Sequence, residues 1–218
     1  MTPIKASIKV LFVTFLLACS GVTPGPEATS PQTHAAAHRP LLNSERIRQE
    51  FGSYGIEVVE QDDRLRVSNL YSLDSGVQTM RTLAVVFFPA AIPLPLQKVH
   101  GEITGGHSIG ETLRESGWKV EKLNLYFGEL APEAGFDGVY AAMGDIAAAA
   151  LAVHIYQLFV SRDGSRYLYA TIAEVHHPNY QGLADLQSNY VAGMMVQGST
   201  SNDVGIVLDD VIEVMQQY

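Results

Sequence analysis

The sequence contains one cysteine, Cys19, in 218 residues. A chain with a single cysteine forms no internal disulfide, so the disulfide-stapled class of small secreted scaffolds is excluded. For the same reason, a metal site built from several cysteine thiolates is excluded. The fold must therefore be held by its hydrophobic core.

Basic residues are also scarce. The chain has 14 Lys and Arg against 23 Asp and Glu, a net charge of -9. An acidic surface repels phosphate backbones, which argues against nucleic acid as a partner. Hydrophobic residues make up 47% of the chain, so we expect one globular domain with a substantial core.

No apolar run is long enough to cross a bilayer, which needs about 20 residues. The most apolar stretch near the N-terminus covers only residues 10–18 and follows Lys5 and Lys9. A positive start, a short apolar run and a small residue before the cleavage point are typical of an export signal. We therefore expect residues 1–18 to be a signal peptide that is removed.

The end of this segment, Leu16-Leu17-Ala18-Cys19, resembles the lipobox of bacterial lipoproteins. The resemblance implies that Cys19 is acylated, for example with palmitate, and anchors the protein to a membrane of the cell envelope. Ser20 after the cysteine resembles the pattern of lipoproteins sorted to the outer membrane, facing the periplasm or the outside. The alternative is an ordinary secreted protein whose cysteine lies there by chance.

Composition divides the rest of the chain. Residues 19–40 are rich in Pro, Ser, Thr and Ala without apolar periodicity, so they predict a flexible tether. Residues 41–180 carry the strand and hairpin patterns of a folded domain. The tail, 181–218, has helical patterns at Leu183–Val196 and Asp203–Tyr218 and predicts a helical extension.

Strand patterns dominate the domain and are joined by tight turns. Asp74-Ser75-Gly76 and Arg162-Asp163-Gly164 each separate two strand-like runs and predict hairpins. A short opening helix around Leu41–Phe51 and another at Ser108–Ser116, capped by Ser108, interrupt the strands. This mixture predicts an α+β fold with an antiparallel sheet and helices to one side.

The motifs of several enzyme classes are missing. There is no HExxH sequence and no GxSxG elbow, so neither a zinc protease nor a serine hydrolase is indicated. His176 and His177, with His154, His107 or His100, form the one histidine group that invites a metal. Adjacent side chains of a strand point to opposite faces, so we expect no metal site.

A glycine-rich loop, Gly105 to Gly110, runs into the second predicted helix. Such loops present backbone amides to an anion, and a small carboxylate fits better than a nucleotide because the Walker lysine and the dinucleotide fingerprint are absent. A turn that simply needs glycines is the other interpretation. Arg66, Arg81 and Glu174 lie within apolar strands, where pattern alone favours a solvated face over pairing around a pocket.

The order of these motifs resembles chorismate lyase and its relatives, small α+β proteins whose antiparallel sheet holds an aromatic carboxylate in an internal pocket. The matching segments are the opening helix with Phe51 and Gly55, Leu65-Arg66-Val67, the loop from Gly105, and Thr171 to Glu174 with two inserted residues. The similarity spans about residues 41–180. The longer stretch after Arg81-Thr82, the helical tail and the export signal depart from the family.

The resemblance implies a ligand site without a metal or cofactor. In that family an arginine binds the ligand carboxylate, a loop residue offers its backbone amide and a glutamate contacts the other end, which here implies Arg66, Ile109 and Glu174, with Ile47 on the opening helix. Chorismate is cytoplasmic, so export favours binding of a small carboxylated or aromatic ligand over catalysis. The alternatives are release of pyruvate from chorismate, with Glu174 moving a proton, and a non-catalytic module of the envelope.

Overall fold

The computed structural model describes residues 41–144, 146–190 and 201–218. Their strands form one antiparallel sheet in the order β1-β2-β3-β6-β5-β4. The six strands are β1 Gly55–Gln61, β2 Leu65–Asp74, β3 Val77–Phe87, β4 Lys119–Leu130, β5 Leu151–Arg162 and β6 Ser165–His176. The predicted α+β class and antiparallel sheet are confirmed. The signal segment, Cys19 and the tether lie outside the described residues.

Six α-helices accompany the sheet in the described part of the chain. They are α1 Asn43–Phe51, α2 Gln97–Thr104, α3 Ile109–Glu115, α4 Asp137–Ala142, α5 Leu183–Tyr190 and α6 Ser201–Gln217, with a 3-10 turn at Leu94–Leu96. None of them combines the length and hydrophobicity that crossing a bilayer requires. The opening helix and the two hairpins lie where the sequence predicts them.

Two hydrophobic layers cover the two faces of the sheet, because side chains alternate along each strand. On one face, Val85, Val153 and Val175 pack with Val211 and Met215 of α6 and with α4. On the other, Val86, Leu158 and Ile172 pack beneath α2 and α3. The expectation of helices on one side is therefore wrong. The apolar side chains of α6 must be buried against another surface. The face of the sheet opposite α2 and α3 provides that surface.

The C-terminal tail is helical, as predicted, and α6 is part of the main core. Val211 and Met215 are fully buried, and Tyr218 packs against the same cluster. The Tyr218 hydroxyl also contacts the amide of Asn69 on β2. Residues 191–196, the remainder of the first predicted tail helix, lie outside the described residues.

Candidate functional site

A cavity lies on the face of the sheet that α1 and α3 cover. Its apolar wall includes Ile56, Leu70, Val86, Leu158 and Ile172, and its charged side chains are Arg66, Lys122 and Glu174. The cavity has a volume of about 70 Å³, and one water needs about 10–15 Å³ of such volume. It therefore has room for several waters or one small organic molecule.

Arg66 is a buried cation on the wall of this cavity. Its side chain is 0% exposed. Nε donates to Ser68 Oγ at 2.9 Å and Nη1 donates to the Ile103 carbonyl oxygen at 2.7 Å, whereas Nη2 has no hydrogen-bond partner among the described residues. Burial lowers the pKa of Arg66, but arginine stays protonated in proteins. A buried charge without a counterion is costly, so this guanidinium favours an anionic ligand.

The glycine-rich loop brings Ile109 to the same cavity. Ser108, Ile109 and Gly110 all line its wall. Gly110 packs closely against Leu42, since a Cβ atom at residue 110 would lie 2.8 Å from Leu42 Cδ2 and the leucine side chain would have to shift. Ser108 occupies the N-cap position of α3, as predicted, but its side chain makes no capping hydrogen bond. Glu111 instead accepts a hydrogen bond from Arg48 Nη2 at 3.1 Å.

Glu174 lies on the cavity wall two residues beyond Ile172, which is in register with Arg66 through Val86 of β3. It is 3% exposed. Its Oε1 atom accepts hydrogen bonds from Tyr156 Oη at 3.1 Å and Asn43 Nδ2 at 3.3 Å. Burial raises the pKa of Glu174, but the Lys122 ammonium group and these hydrogen bonds outweigh burial and leave the pKa below its usual value.

The second oxygen of Glu174 faces three nitrogens. Lys122 Nζ is 3.6 Å from Oε2, His154 Nδ1 is 3.8 Å away and His176 Nε2 is 4.0 Å away. Within the described part of the chain, none of these four atoms has a hydrogen-bond partner. We call the four side chains the Glu174 cluster. The three nitrogens surround Glu174 Oε2; Lys122 and Glu174 line the cavity, whereas His154 and His176 do not.

Both histidines of the cluster are fully buried and neutral. Burial lowers the pKa of His154 well below its usual value, and Lys122 adds to the effect. Burial likewise lowers the pKa of His176 to about 4, against the opposing influence of Glu174. His154 Nε2 lies 2.9 Å from Asn124 Oδ1, an acceptor, so the proton is on Nε2. His154 Nδ1 therefore presents a lone pair to the cluster.

A hydrogen-bonded chain joins the cluster to α1. Asn43 Nδ2 donates to Glu174 Oε1 and, at 3.1 Å, to Thr82 Oγ1, and Thr82 contacts His176 Nδ1 at 3.1 Å. Tyr180 Oη donates to Asn43 Oδ1 at 2.6 Å. These bonds fix the orientation of the carboxylate. Asn43 is the first residue of α1 and serves this network, while Leu42 occupies the N-cap position.

The remaining sequence candidates lie elsewhere. Ile47 is fully buried but packs with Leu70, Ala84 and Tyr180 instead of lining the cavity. Arg81 pairs with Asp74 and stacks 3.8 Å from the centre of the Phe51 ring. The prediction that charged residues in apolar strands lie on a solvated face is wrong for Arg66, Arg81 and Glu174, which are all buried. Among the described residues, no His, Asp and Glu group could hold a metal ion.

Sequence reasoning missed Lys122 and Tyr156. Lys122 lies in a segment whose apolar and polar residues alternate only weakly. Its place beside the cavity is evident only from the pairing of β4 with β5, which puts Leu158 opposite it. Its ammonium group is 3.9 Å from the centre of the Tyr156 ring. No local pattern marks either residue, because the pairing of β4, β5 and β6 brings them to Glu174.

A scan against protein-family models finds no matching family, and a search of curated proteins finds no significant match.

Proposed function

We propose that this protein is a lipid-anchored lipoprotein of the bacterial cell envelope whose domain has a chorismate lyase-like fold and binds a small carboxylated or aromatic ligand. The observation that carries the proposal is the buried Arg66 guanidinium, which lines an apolar cavity with one unpaired nitrogen. A carboxylate is the group that a guanidinium recognises best.

The cavity suits a molecule with one charged end and an apolar body. Arg66 supplies the positive charge, while Val86, Leu158 and Ile172 supply flat apolar contacts. Most ligand sites combine an apolar lining with a few placed polar groups in this way. The antiparallel sheet with an internal cavity also agrees with the architecture that the chorismate lyase resemblance implies.

The second candidate function is elimination of pyruvate from chorismate or an analogue. It is favoured by Glu174, whose carboxylate lines the same cavity as Arg66 and is held ionised beside Lys122. A carboxylate so placed can accept a proton from a bound substrate. Incubation of the purified protein with chorismate distinguishes the two functions: 4-hydroxybenzoate appears if the protein is a lyase, and chorismate stays intact if the site only binds.

Calorimetric titration of the full chain with benzoate tests the binding proposal. We expect the Arg66→Gln variant to bind at least about tenfold more weakly, since a hydrogen bond to a charged group contributes about 1.5–3 kcal/mol. Arg64→Gln is the matched control. Arg64 is an exposed arginine two residues away whose Nε donates to the Phe88 carbonyl oxygen, and it does not line the cavity.

Two results would overturn the proposal. Equal benzoate affinity in wild type and Arg66→Gln would remove Arg66 from the site. Absence of binding across a panel of aromatic and aliphatic carboxylates, in a protein shown to be folded, would leave the domain as a structural module of the envelope.

A further inference from the structure

We propose that Lys122 forms an imine with a carbonyl group of the ligand, so that the site takes molecules with a carboxylate at one end and an aldehyde or ketone at the other. The inference rests on the proposed carboxylate binding at Arg66 and names the class of ligand. The observation behind it is the placement of the Lys122 amine inside a ligand-sized cavity.

Lys122 has the surroundings of a nucleophilic lysine. Its side chain lines the cavity, is 16% exposed and has no hydrogen-bond partner at Nζ among the described residues. The ammonium group lies over the Tyr156 ring. Lysines that attack carbonyl groups are desolvated amines of this kind with an acid or base beside them. Here Glu174 Oε2, at 3.6 Å, is that neighbour.

The other lysines of the described chain show the contrast. Lys119 is 74% exposed and pairs with Glu121 at the surface. Lys98 is exposed on α2. Neither lines the cavity. Nζ and Glu174 Oε2 form an ion pair at 3.6 Å but stand beyond hydrogen-bond distance, so the amine keeps its hydrogen-bonding capacity for a ligand.

The reaction balances with Glu174 as the proton carrier. Lys122 passes one proton to Glu174, and the free amine adds to the carbonyl carbon to give a carbinolamine. Glu174 then protonates the departing hydroxyl, which leaves as water, and the C=N bond forms. The ammonium ion and the aldehyde or ketone become a protonated imine and one water, and Glu174 returns to its carboxylate form.

The distance between the two ends of the cavity defines the ligand. Arg66 is on β2 and the Lys122 amine reaches Glu174 on β6, and only β3 lies between these strands. Two strand spacings are about 10 Å. A ligand whose carboxylate and carbonyl are held apart suits this strand spacing better than one that carries them on adjacent carbons. An aromatic ring between them supplies the separation, and 4-formylbenzoate is the simplest probe.

Reductive trapping tests the inference. The full chain is incubated with 4-formylbenzoate and sodium cyanoborohydride, digested, and mapped by mass spectrometry. We expect Lys122 to be modified at least about tenfold faster than Lys98 and Lys119, since a carboxylate held at Arg66 raises the effective concentration of the carbonyl. Benzoate should slow modification of Lys122 alone. Benzaldehyde, which lacks the carboxylate, should show no preference for Lys122.

The outcomes separate this inference from the binding proposal. If calorimetry detects Arg66-dependent binding of benzoate but Lys122 reacts no faster than Lys119, the imine is overturned and the binding site stands. Equal preference for Lys122 with benzaldehyde overturns the carboxylate-bearing class. Lys122→Met should abolish the fast modification and Lys119→Met should preserve it; the wild-type peptide map decides the question even if Lys122→Met does not fold.

Discussion

Lys122 Nζ lies 3.6 Å from Glu174 Oε2 on the wall of the cavity, and neither atom has a hydrogen-bond partner in the described structure. His154 Nδ1 and His176 Nε2 lie 3.8 Å and 4.0 Å from the same oxygen. Buried polar groups left in this state are uncommon because each costs free energy of folding. Such clusters occur preferentially at functional sites.

Removal of the carboxylate should destabilise the protein. Glu174→Gln leaves the Lys122 charge without its counterion, and loss of one partner of a buried ion pair costs about 3–5 kcal/mol of unfolding free energy. Because Lys122 keeps some exposure, we expect the lower end of that range. Urea denaturation measures the difference.

Glu121→Gln is the control for this substitution. Glu121 also pairs with a lysine, Lys119, but at the surface. Such a pair contributes about 0–1 kcal/mol. Equal losses for Glu174→Gln and Glu121→Gln would show that the pair at Glu174 has no special role.

Stability should fall between neutral pH and pH 4. The folded-state pKa of His176 lies at about 4, below the ordinary value of 6.5. Between these values the unfolded state binds more protons than the folded state. The free energy of unfolding is therefore highest above pH 6.5 and decreases as the pH falls towards 4. At about 1.4 kcal/mol per pKa unit, His176 alone accounts for a loss on the order of 3 kcal/mol.

Denaturation curves at several pH values measure this slope. His154 and His177 shift in the same direction because they are buried, so their contributions add. His176→Asn should flatten the curve between pH 4.5 and 6.5, whereas His107→Asn, at an exposed residue, should leave it unchanged. An unaltered slope in His176→Asn would contradict the account. Glu174 titrates below this window, since its pKa is lowered from 4.5.

The C-terminal helix should be required for stability. Met215→Ala removes a fully buried side chain of α6 and should cost about 2–5 kcal/mol of unfolding free energy. Ile206→Ala, on the same helix but 61% exposed, should cost under about 1 kcal/mol. Thermal and urea denaturation compare them, and a negligible effect of Met215→Ala would show that α6 folds apart from the sheet.

The proposed lipid anchor at Cys19 makes a prediction of its own. Cells expressing the full chain should incorporate labelled palmitate into it, and Cys19→Ala should abolish the label and release the protein from the membrane fraction, since the chain has no other cysteine. Leu11→Val, inside the apolar run, should behave as wild type. Wild-type protein that takes up no lipid would instead support an ordinary secreted protein.

Local patterns predict much of the sheet because hairpin turns and alternation act over a few residues. Asp74-Ser75-Gly76 and Arg162-Asp163-Gly164 both form turns, with Ser75 and Asp163 at positive φ as such tight turns require. Ser108 is the N-cap residue of α3, as predicted, but its capping hydrogen bond is absent, and Glu111 pairs with Arg48 of α1, a partner distant in sequence.

The site was only partly predictable for the same reason. Arg66, Ile109 and Glu174 were named from the family resemblance, and the structure places them on one cavity wall. The pattern of charges in apolar strands indicated the opposite, a solvated face. Lys122 and His154 meet Glu174 through strand pairings of β4, β5 and β6, which no short-range pattern encodes.

Titration of one protein sample with benzoate and with benzamide measures whether this cavity recognises a carboxylate. The two molecules have nearly the same shape and differ in charge. We expect at least about tenfold tighter binding of benzoate, because a charged partner of Arg66 adds about 1.5–3 kcal/mol. Equal affinities, or tighter binding of benzamide, would show that the cavity does not select for the carboxylate.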